Sequence, residues 1–111
     1  EEAGSIAGTD AEHEFILDPL DGTSNFMHGL PHFSISLGLT KRKENGEQEV
    51  IAGVVYNPVY DEIFTAEKGK GAFFNQRRLR VGARKKLDEA VFATGIFGHG
   101  REPEAVLVQL M

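Results

Sequence analysis

Apolar and polar positions along the chain change period several times, and each change marks an element. Phe33, Ile35, Leu37 and Leu39 alternate with Ser34, Ser36, Gly38 and Thr40, the period-two pattern of a half-buried strand. Lys41 to Glu49 is a charged turn around Asn45-Gly46, a strong hairpin signal. The return strand, about Val50 to Tyr56, is nearly continuous in apolar residues and is predicted to be covered on both faces, with Asn57-Pro58 ending it. Glu62 to Glu67 reads as a third strand and Gly71 to Asn75 as a fourth, joined by a glycine turn at Gly69. Leu79 to Val81 is a short extended piece and Glu89 to Thr94 another apolar run. A helix starts at Glu102, with Pro103 at a tolerated first-turn position.

The stretch ahead of this meander has a different character. Residues 1–12 are small, polar and acidic, with Gly4 and Gly8 as punctuation, and read as a loop. Phe15-Ile16-Leu17 is too short for periodicity to classify. Asp18-Pro19 forces extended backbone on Asp18 and ends what precedes it, which predicts a short buried strand. After Gly22, Thr23 and Ser24 are good helix N-caps. Asn25, Phe26 and His28 then fit one helical turn, stopped by Gly29 and Pro31. The sum is a largely antiparallel meander behind an acidic loop, without internal repeats.

Composition narrows the function classes. A chain of 111 residues with 41% hydrophobic content reads as one soluble globular unit or part of one. A net charge of -5 argues against a general polyanion binder while leaving room for a local basic patch. The chain has no cysteine, which excludes a disulfide framework, a thiolate metal site and a cysteine nucleophile, and fits a reducing compartment. No apolar stretch approaches the roughly 18 to 20 residues that span a bilayer. Glu1-Glu2 is unlike a signal peptide, so a cytoplasmic location is expected. There is no initiator Met and the chain stops at Gln109-Leu110-Met111 within a plausible helix, so both ends read as cut.

The candidate chemistry lies in Asp18-Pro19-Leu20-Asp21-Gly22-Thr23. Two carboxylates at i and i+3, restricted by Pro19, suit a hard divalent cation such as Mg²⁺. Gly22 lets a ligand approach the backbone, and the amides of Gly22 and Thr23 stand where a helical turn begins, an environment that suits phosphate. Carboxylates for cations beside amides for phosphate describe metal-assisted phosphoryl chemistry, with Thr23 placed to orient a water. An isolated D-x-x-D-G is more often an ordinary turn. The longer string decides between the two.

Asp18 to Phe26, followed by His28-Gly29 and Pro31-His32-Phe33, resembles the inositol monophosphatase family of Mg²⁺-dependent phosphatases, its bacterial members in particular. The resemblance extends to Glu1-Glu2-Ala3-Gly4, Gly53-Val54-Val55-Tyr56-Asn57-Pro58, Glu62 to Ala66 and Gly69-Lys70-Gly71-Ala72, and so covers nearly the whole chain. It implies an α/β fold, a layered α-β-α-β-α sandwich with a largely antiparallel sheet, of which residues 1–111 would be the central part of a single domain. It also implies that Glu1, Asp18 and Asp21 supply metal carboxylates and that the Leu20 main-chain carbonyl adds a ligand, for two or three Mg²⁺ ions in the complete enzyme. Asp21, Gly22 and Thr23 would hold the phosphate. Glu1, Asp21 and the Thr23 hydroxyl would serve the attacking water, with Glu2 behind them or exchanging roles with Glu1. Water attacks phosphorus directly, without a phosphoenzyme, and the family suggests a homodimer.

One departure stands out. The family's remaining metal aspartate belongs to a later Trp-Asp motif, and this chain has no Trp. These residues alone are therefore expected to bind Mg²⁺ weakly and turn over poorly.

Other features have simpler readings. His28 and His32 lie near the acids, but packing and hydrogen bonding around the helical turn outweigh a transition-metal role beside hard oxygen donors. His13 and His99 have no partner in sequence and read as surface residues. Asn25 is placed to hydrogen-bond the aspartate loop. Arg77, Arg78, Arg80, Arg84, Lys85 and Lys86 put six positive charges in ten residues. A solvated sheet edge explains them better than an RNA- or partner-binding face, because the aromatic interleaving of single-strand binders is missing. Ser34 and Ser36 lack a nucleophile elbow, and Gly95, Gly98 and Gly100 do not make a dinucleotide site.

The expected activity is hydrolysis of a small phosphate monoester, inositol monophosphate first, with histidinol phosphate, other sugar phosphates and adenosine bisphosphate as alternatives. The competing hypothesis is a noncatalytic regulatory member of the same fold that binds RNA or protein through residues 77–86.

Overall fold

The computed structural model describes residue 10 and residues 12–93. The loop at residues 1–9, the helix from Glu102, His99 and the glycines at 95, 98 and 100 lie outside the described residues. The chain divides between Val81 and Gly82 into two units. The first holds a six-stranded antiparallel meander in sequence order: β1 (His13–Asp21), β2 (Ser34–Arg42), β3 (Gln48–Asn57), β4 (Glu62–Glu67), β5 (Gly71–Phe74) and β6 (Arg77–Arg78). One helical turn, α1 (Thr23–Met27), connects β1 to β2. In the second unit Leu87–Glu89 form a 3₁₀ turn, and residues 90–93 of the apolar run from Glu89 carry no strand.

The hairpin from β2 to β3 forms where Asn45-Gly46 predicts it. Gly46 takes a φ of 85°, the Lys43 amide donates to the Glu47 carbonyl at 2.8 Å, and the Asn45 side chain accepts from the Glu47 amide at 3.0 Å. Beside it Lys68 donates to Glu49, and that hydrogen bond holds the Glu49 carboxyl below its ordinary value. At the other end of β3 the Asn57 side chain accepts from the amides of Val59 and Tyr60, which closes the turn into β4. Tyr56 donates its hydroxyl to Asp61 across that turn, and this raises the phenol's pKa.

Three sequence expectations change. Phe15, Ile16 and Leu17 do lie in a strand, but they are 69%, 53% and 47% exposed rather than buried. Val50 and Val55 of β3 are exposed as well, not covered on both faces. Alternation sorts these side chains onto two faces, yet no buried apolar core exists among the described residues, and Thr40, at 3% exposure, is the single buried position. Its hydroxyl is within hydrogen-bond distance of the Glu14 carbonyl and the Gln48 side chain, beside the register shift between Leu39 and Thr40.

Second, β1 does not stop at Asp18. It runs through Pro19 to Asp21, because Pro19 sits on an edge strand at an irregularity where the ladder needs no N–H. Third, the extended piece predicted at Leu79 to Val81 begins earlier. Asn75 and Gln76, with φ of 43° and 70°, form a two-residue turn between the paired Phe74 and Arg77, so the return strand starts at Arg77. The ladder direction persists to Leu79, whose amide donates to the Ala72 carbonyl at 2.8 Å.

Positive φ at both central positions is the type I′ requirement, which asparagine tolerates and glutamine does not. Gln76→Gly is therefore expected to stabilise the sheet by about 0.5 to 1 kcal/mol, the relieved strain exceeding the entropy gained by the unfolded chain. A urea midpoint lower than that of the unsubstituted chain would refute it.

Candidate functional site at the acidic loop

The acidic loop is a corner at which the edge strand β1 bulges and turns into α1. Asp18 pairs with Ser36 and Asp21 with Ser34, so three steps along β1 face two along β2. One extra residue is thereby inserted, a β-bulge that bends the strand and re-aims its side chains. Asp18 Oδ1 accepts the Leu20 amide at 3.1 Å, which organises the bulge from inside. The Thr23 hydroxyl donates to the Leu20 carbonyl at 3.2 Å from the far side. Asp18, Leu20, Asp21, Gly22 and Thr23 are thus brought together in one corner. Asp18 and Asp21 are exposed, while Leu20, Gly22 and Thr23 are half-buried.

Helix α1 has a different cap from the one predicted. Gly22, with φ 90° and ψ 37°, is the residue at its N-terminal boundary, and no side chain caps the turn. Thr23 and Ser24 do not cap because Thr23 already lies inside the helix with its hydroxyl turned back to Leu20. The C-terminal end is a Schellman closure. Gly29 (φ 72°) donates to the Phe26 carbonyl at 3.1 Å and Leu30 to the Asn25 carbonyl at 2.8 Å.

Gly22 is required sterically as well as conformationally. A Cβ there would lie 2.9 Å from the His32 carbonyl oxygen and 3.2 Å from Phe33 Cα. The segment that presses on it is held by two asparagines. Asn25 Nδ2 donates to the His32 carbonyl at 2.7 Å, and Asn57 Nδ2 donates to the Pro31 carbonyl at 3.2 Å. The Phe26 and Phe33 rings meet edge to face at 5.1 Å.

The expected supporting residues sort as follows. His28 Nδ1 lies 2.7 Å from the Ser24 carbonyl, which can only accept, so the ring donates there and serves the helical turn. His32 contributes its main-chain carbonyl. His13, read as a surface residue without a partner, is exposed but pairs with Asp10 at 2.8 Å. The Asp10 carboxyl is held below its ordinary value by the Glu12 amide and by His13. Ser34 and Ser36 lie opposite the two acids in the ladder, small residues that leave space beside the carboxylates. Arg77 and Arg78 form the short edge strand β6, with Arg78 over the Phe73 ring at 5.8 Å, and all six basic residues of the 77–86 stretch are exposed. Sequence reasoning missed the role of Asn57, read only as the end of a strand; its signal was an Asn-Pro pair, which closes turns through the Asn side chain.

Glu1 and Glu2 lie outside the described residues. Among the described residues, no group of three or more His, Cys, Asp or Glu side chains could hold a metal ion. The donors at the corner, two carboxylates and the Leu20 carbonyl, are all oxygen. That is the right kind of donor set for Mg²⁺, though not a complete shell. No helix among the described residues is long and apolar enough to cross a membrane.

The edge strand of an antiparallel sheet thus bulges between two aspartates and enters a helical turn through a left-handed glycine, the arrangement of an acidic loop at the end of a strand. Residues 1–105 match the inositol monophosphatase family, and the chain belongs to that family. An inositol-1-monophosphatase from Rhizobium meliloti is 54% identical over 101 residues, which cover 91% of this chain and 36% of that protein. A Nus factor SuhB from Haemophilus influenzae is 47% identical over 95 residues, 86% of this chain and 34% of its own length. The crystal structure of the extragenic suppressor protein suhB from Bartonella henselae superposes with a TM-score of 0.68 at 55% identity, over 78% of this chain and 32% of that one. The chain spans about a third of the length of these relatives. The fold is the α/β fold of the inositol monophosphatase type, and the described residues hold its largely antiparallel sheet.

Proposed function

We propose that this chain is the central part of a single-domain phosphatase that hydrolyses small phosphate monoesters, inositol monophosphate first among them. The observation that carries this reading is the bulge between Asp18 and Asp21, tied at Leu20 to Asp18 and Thr23 and followed directly by Gly22, in a chain of this family. Asp18, Asp21 and the Leu20 carbonyl, with Glu1, hold Mg²⁺. When bound, Mg²⁺ supplies positive charge against the phosphate and the leaving oxygen and acidity toward water.

The chain's own residues supply orientation. The Thr23 hydroxyl donates its hydrogen bond to the Leu20 carbonyl, so its lone pairs are left to accept a hydrogen bond from a water. That fixes the water's position, and Glu1 takes up its proton. The amides of Gly22 and Thr23 donate to phosphate oxygens, and the missing side chain at Gly22 leaves that backbone open. Attack on phosphorus is direct: the water oxygen bonds to phosphorus as the ester P–O bond breaks, and the departing alcohol oxygen takes up a proton from solvent. The family's name and that of its Rhizobium relative favour the inositol substrate, and a homodimer in the cytoplasm accompanies this reading.

The test is phosphate release by the full-length protein from inositol monophosphate, histidinol phosphate, fructose bisphosphate and adenosine 3′,5′-bisphosphate, with Mg²⁺ and with chelator. Release from the inositol ester that vanishes with chelator is expected. A second reading, a noncatalytic regulator that binds RNA or protein, is favoured by the Haemophilus relative's name and the exposed basic edge. It prevails if no monoester is cleaved and salt-dependent RNA binding is lost on neutralising Arg77 and Arg78.

A further inference from the structure

We infer that Asn25 is a positioning residue of the acidic corner, acting through the His32 carbonyl and not on the substrate; this rests on the phosphatase reading above. Three observations carry it. Asn25 lies in α1 three residues after Gly22, the left-handed residue at which the helix opens. The His32 carbonyl receives the Asn25 side-chain N–H at 2.7 Å and also approaches within 2.9 Å of the point a Gly22 Cβ would occupy. The segment that carries His32 is itself tied to the sheet, because Asn57, at the end of β3, donates to the Pro31 carbonyl.

The backbone at Gly22 is therefore seated on the His32 carbonyl, which Asn25 of α1 binds directly, while Asn57 of β3 holds the neighbouring Pro31 carbonyl. Phe26 against Phe33 adds a further contact between α1 and this segment. What this seating fixes is the Gly22-Thr23 end of the corner. Asp18 has its own anchor, through its ladder partner Ser36 and the bond from the Leu20 amide. Loss of the Asn25 bond should therefore loosen the group that orients water and leave the Asp18 carboxylate in place. A misplacement of about 1 Å at a reacting group costs up to about 100-fold in rate.

Asn25→Leu removes the donor at nearly constant shape without adding charge. In the full-length protein we expect kcat to fall about 10- to 100-fold, with KM, the Mg²⁺ dissociation constant from calorimetry and the melting temperature held within about twofold or a few degrees. Amide hydrogen exchange at residues 22–33 should accelerate while that of β3 and β4 does not. An unchanged kcat overturns the inference, and so does a joint fall of kcat, Mg²⁺ affinity and folded fraction, which a merely structural residue would give. If the unsubstituted protein cleaves no monoester, the phosphatase reading fails and exchange alone decides: faster exchange at Gly22 and Thr23 in Asn25→Leu upholds the seating, and unchanged exchange overturns it.

Discussion

Asp21→Asn in the full-length protein is expected to reduce Mg²⁺-dependent phosphate release by about 10²- to 10³-fold or more, the scale of losing one charged group at a reacting phosphate. The substitution keeps shape and one side-chain oxygen but removes the negative charge, and cation affinity at such a corner depends on charge. Asp21 is exposed and ends β1, and its pairing with Ser34 uses backbone alone, so the fold has little to lose. Calorimetric Mg²⁺ titration and the rate should fall together while the melting temperature stays put. Full activity in this variant would remove Asp21 from the site, and the proposed chemistry with it.

Much of this corner was legible in the sequence because its chemistry is local. The acids, Gly22 and Thr23 fall within six residues, and the spacing around Pro19 announces a break in regular structure. What sequence could not supply was the kind of break. Asp18-Pro19 suggests that the strand ends there, whereas the chain stays extended to Asp21 and inserts an extra residue against Ser34 and Ser36, partners that only the register of β2 identifies. The capping expectation failed for a related reason. Thr23 is a good N-cap by composition, but the tight approach of His32, ten residues later in the chain, demands a residue without a side chain at the boundary, and Gly22 takes it.

The strands show the same split between local and distant causes. Asn45-Gly46 and Gly69 fix their turns by backbone preference, so β2, β3 and β4 fall close to where the alternation puts them. Asn75-Gln76 was overlooked because glutamine is a poor residue at positive φ. The turn stands because the Asn75 side chain accepts the Ile63 amide at 2.8 Å while its own amide donates to the Ile63 carbonyl at 2.9 Å, which ties it to β4. Burial was the least legible property. An apolar run such as Phe15-Ile16-Leu17 states what a surface needs, and among the described residues no layer covers it.

Gly22→Ala is expected to damage both fold and site, and comparison with Gly29→Ala separates the causes. Both glycines have positive φ, 90° and 72°, so either alanine incurs about 1 to 2 kcal/mol of left-handed strain. They differ in space. Nothing lies within 4 Å of a Cβ at Gly29, whereas at Gly22 it would meet a backbone carbonyl at 2.9 Å, a backbone Cα at 3.2 Å and the Phe33 Cβ at 3.3 Å. That carbonyl cannot move aside without breaking its bond to Asn25 and straining the Pro31 bond to Asn57. Overpacking of this sort adds about 1 to 3 kcal/mol. Gly22→Ala should therefore lower the urea-derived stability by about 1 to 3 kcal/mol more than Gly29→Ala. It should also depress phosphate release from the fraction that remains folded, since Thr23 moves with its neighbour. Equal losses for the two variants would mean that the 30–33 segment yields freely, in which case it does not seat the corner.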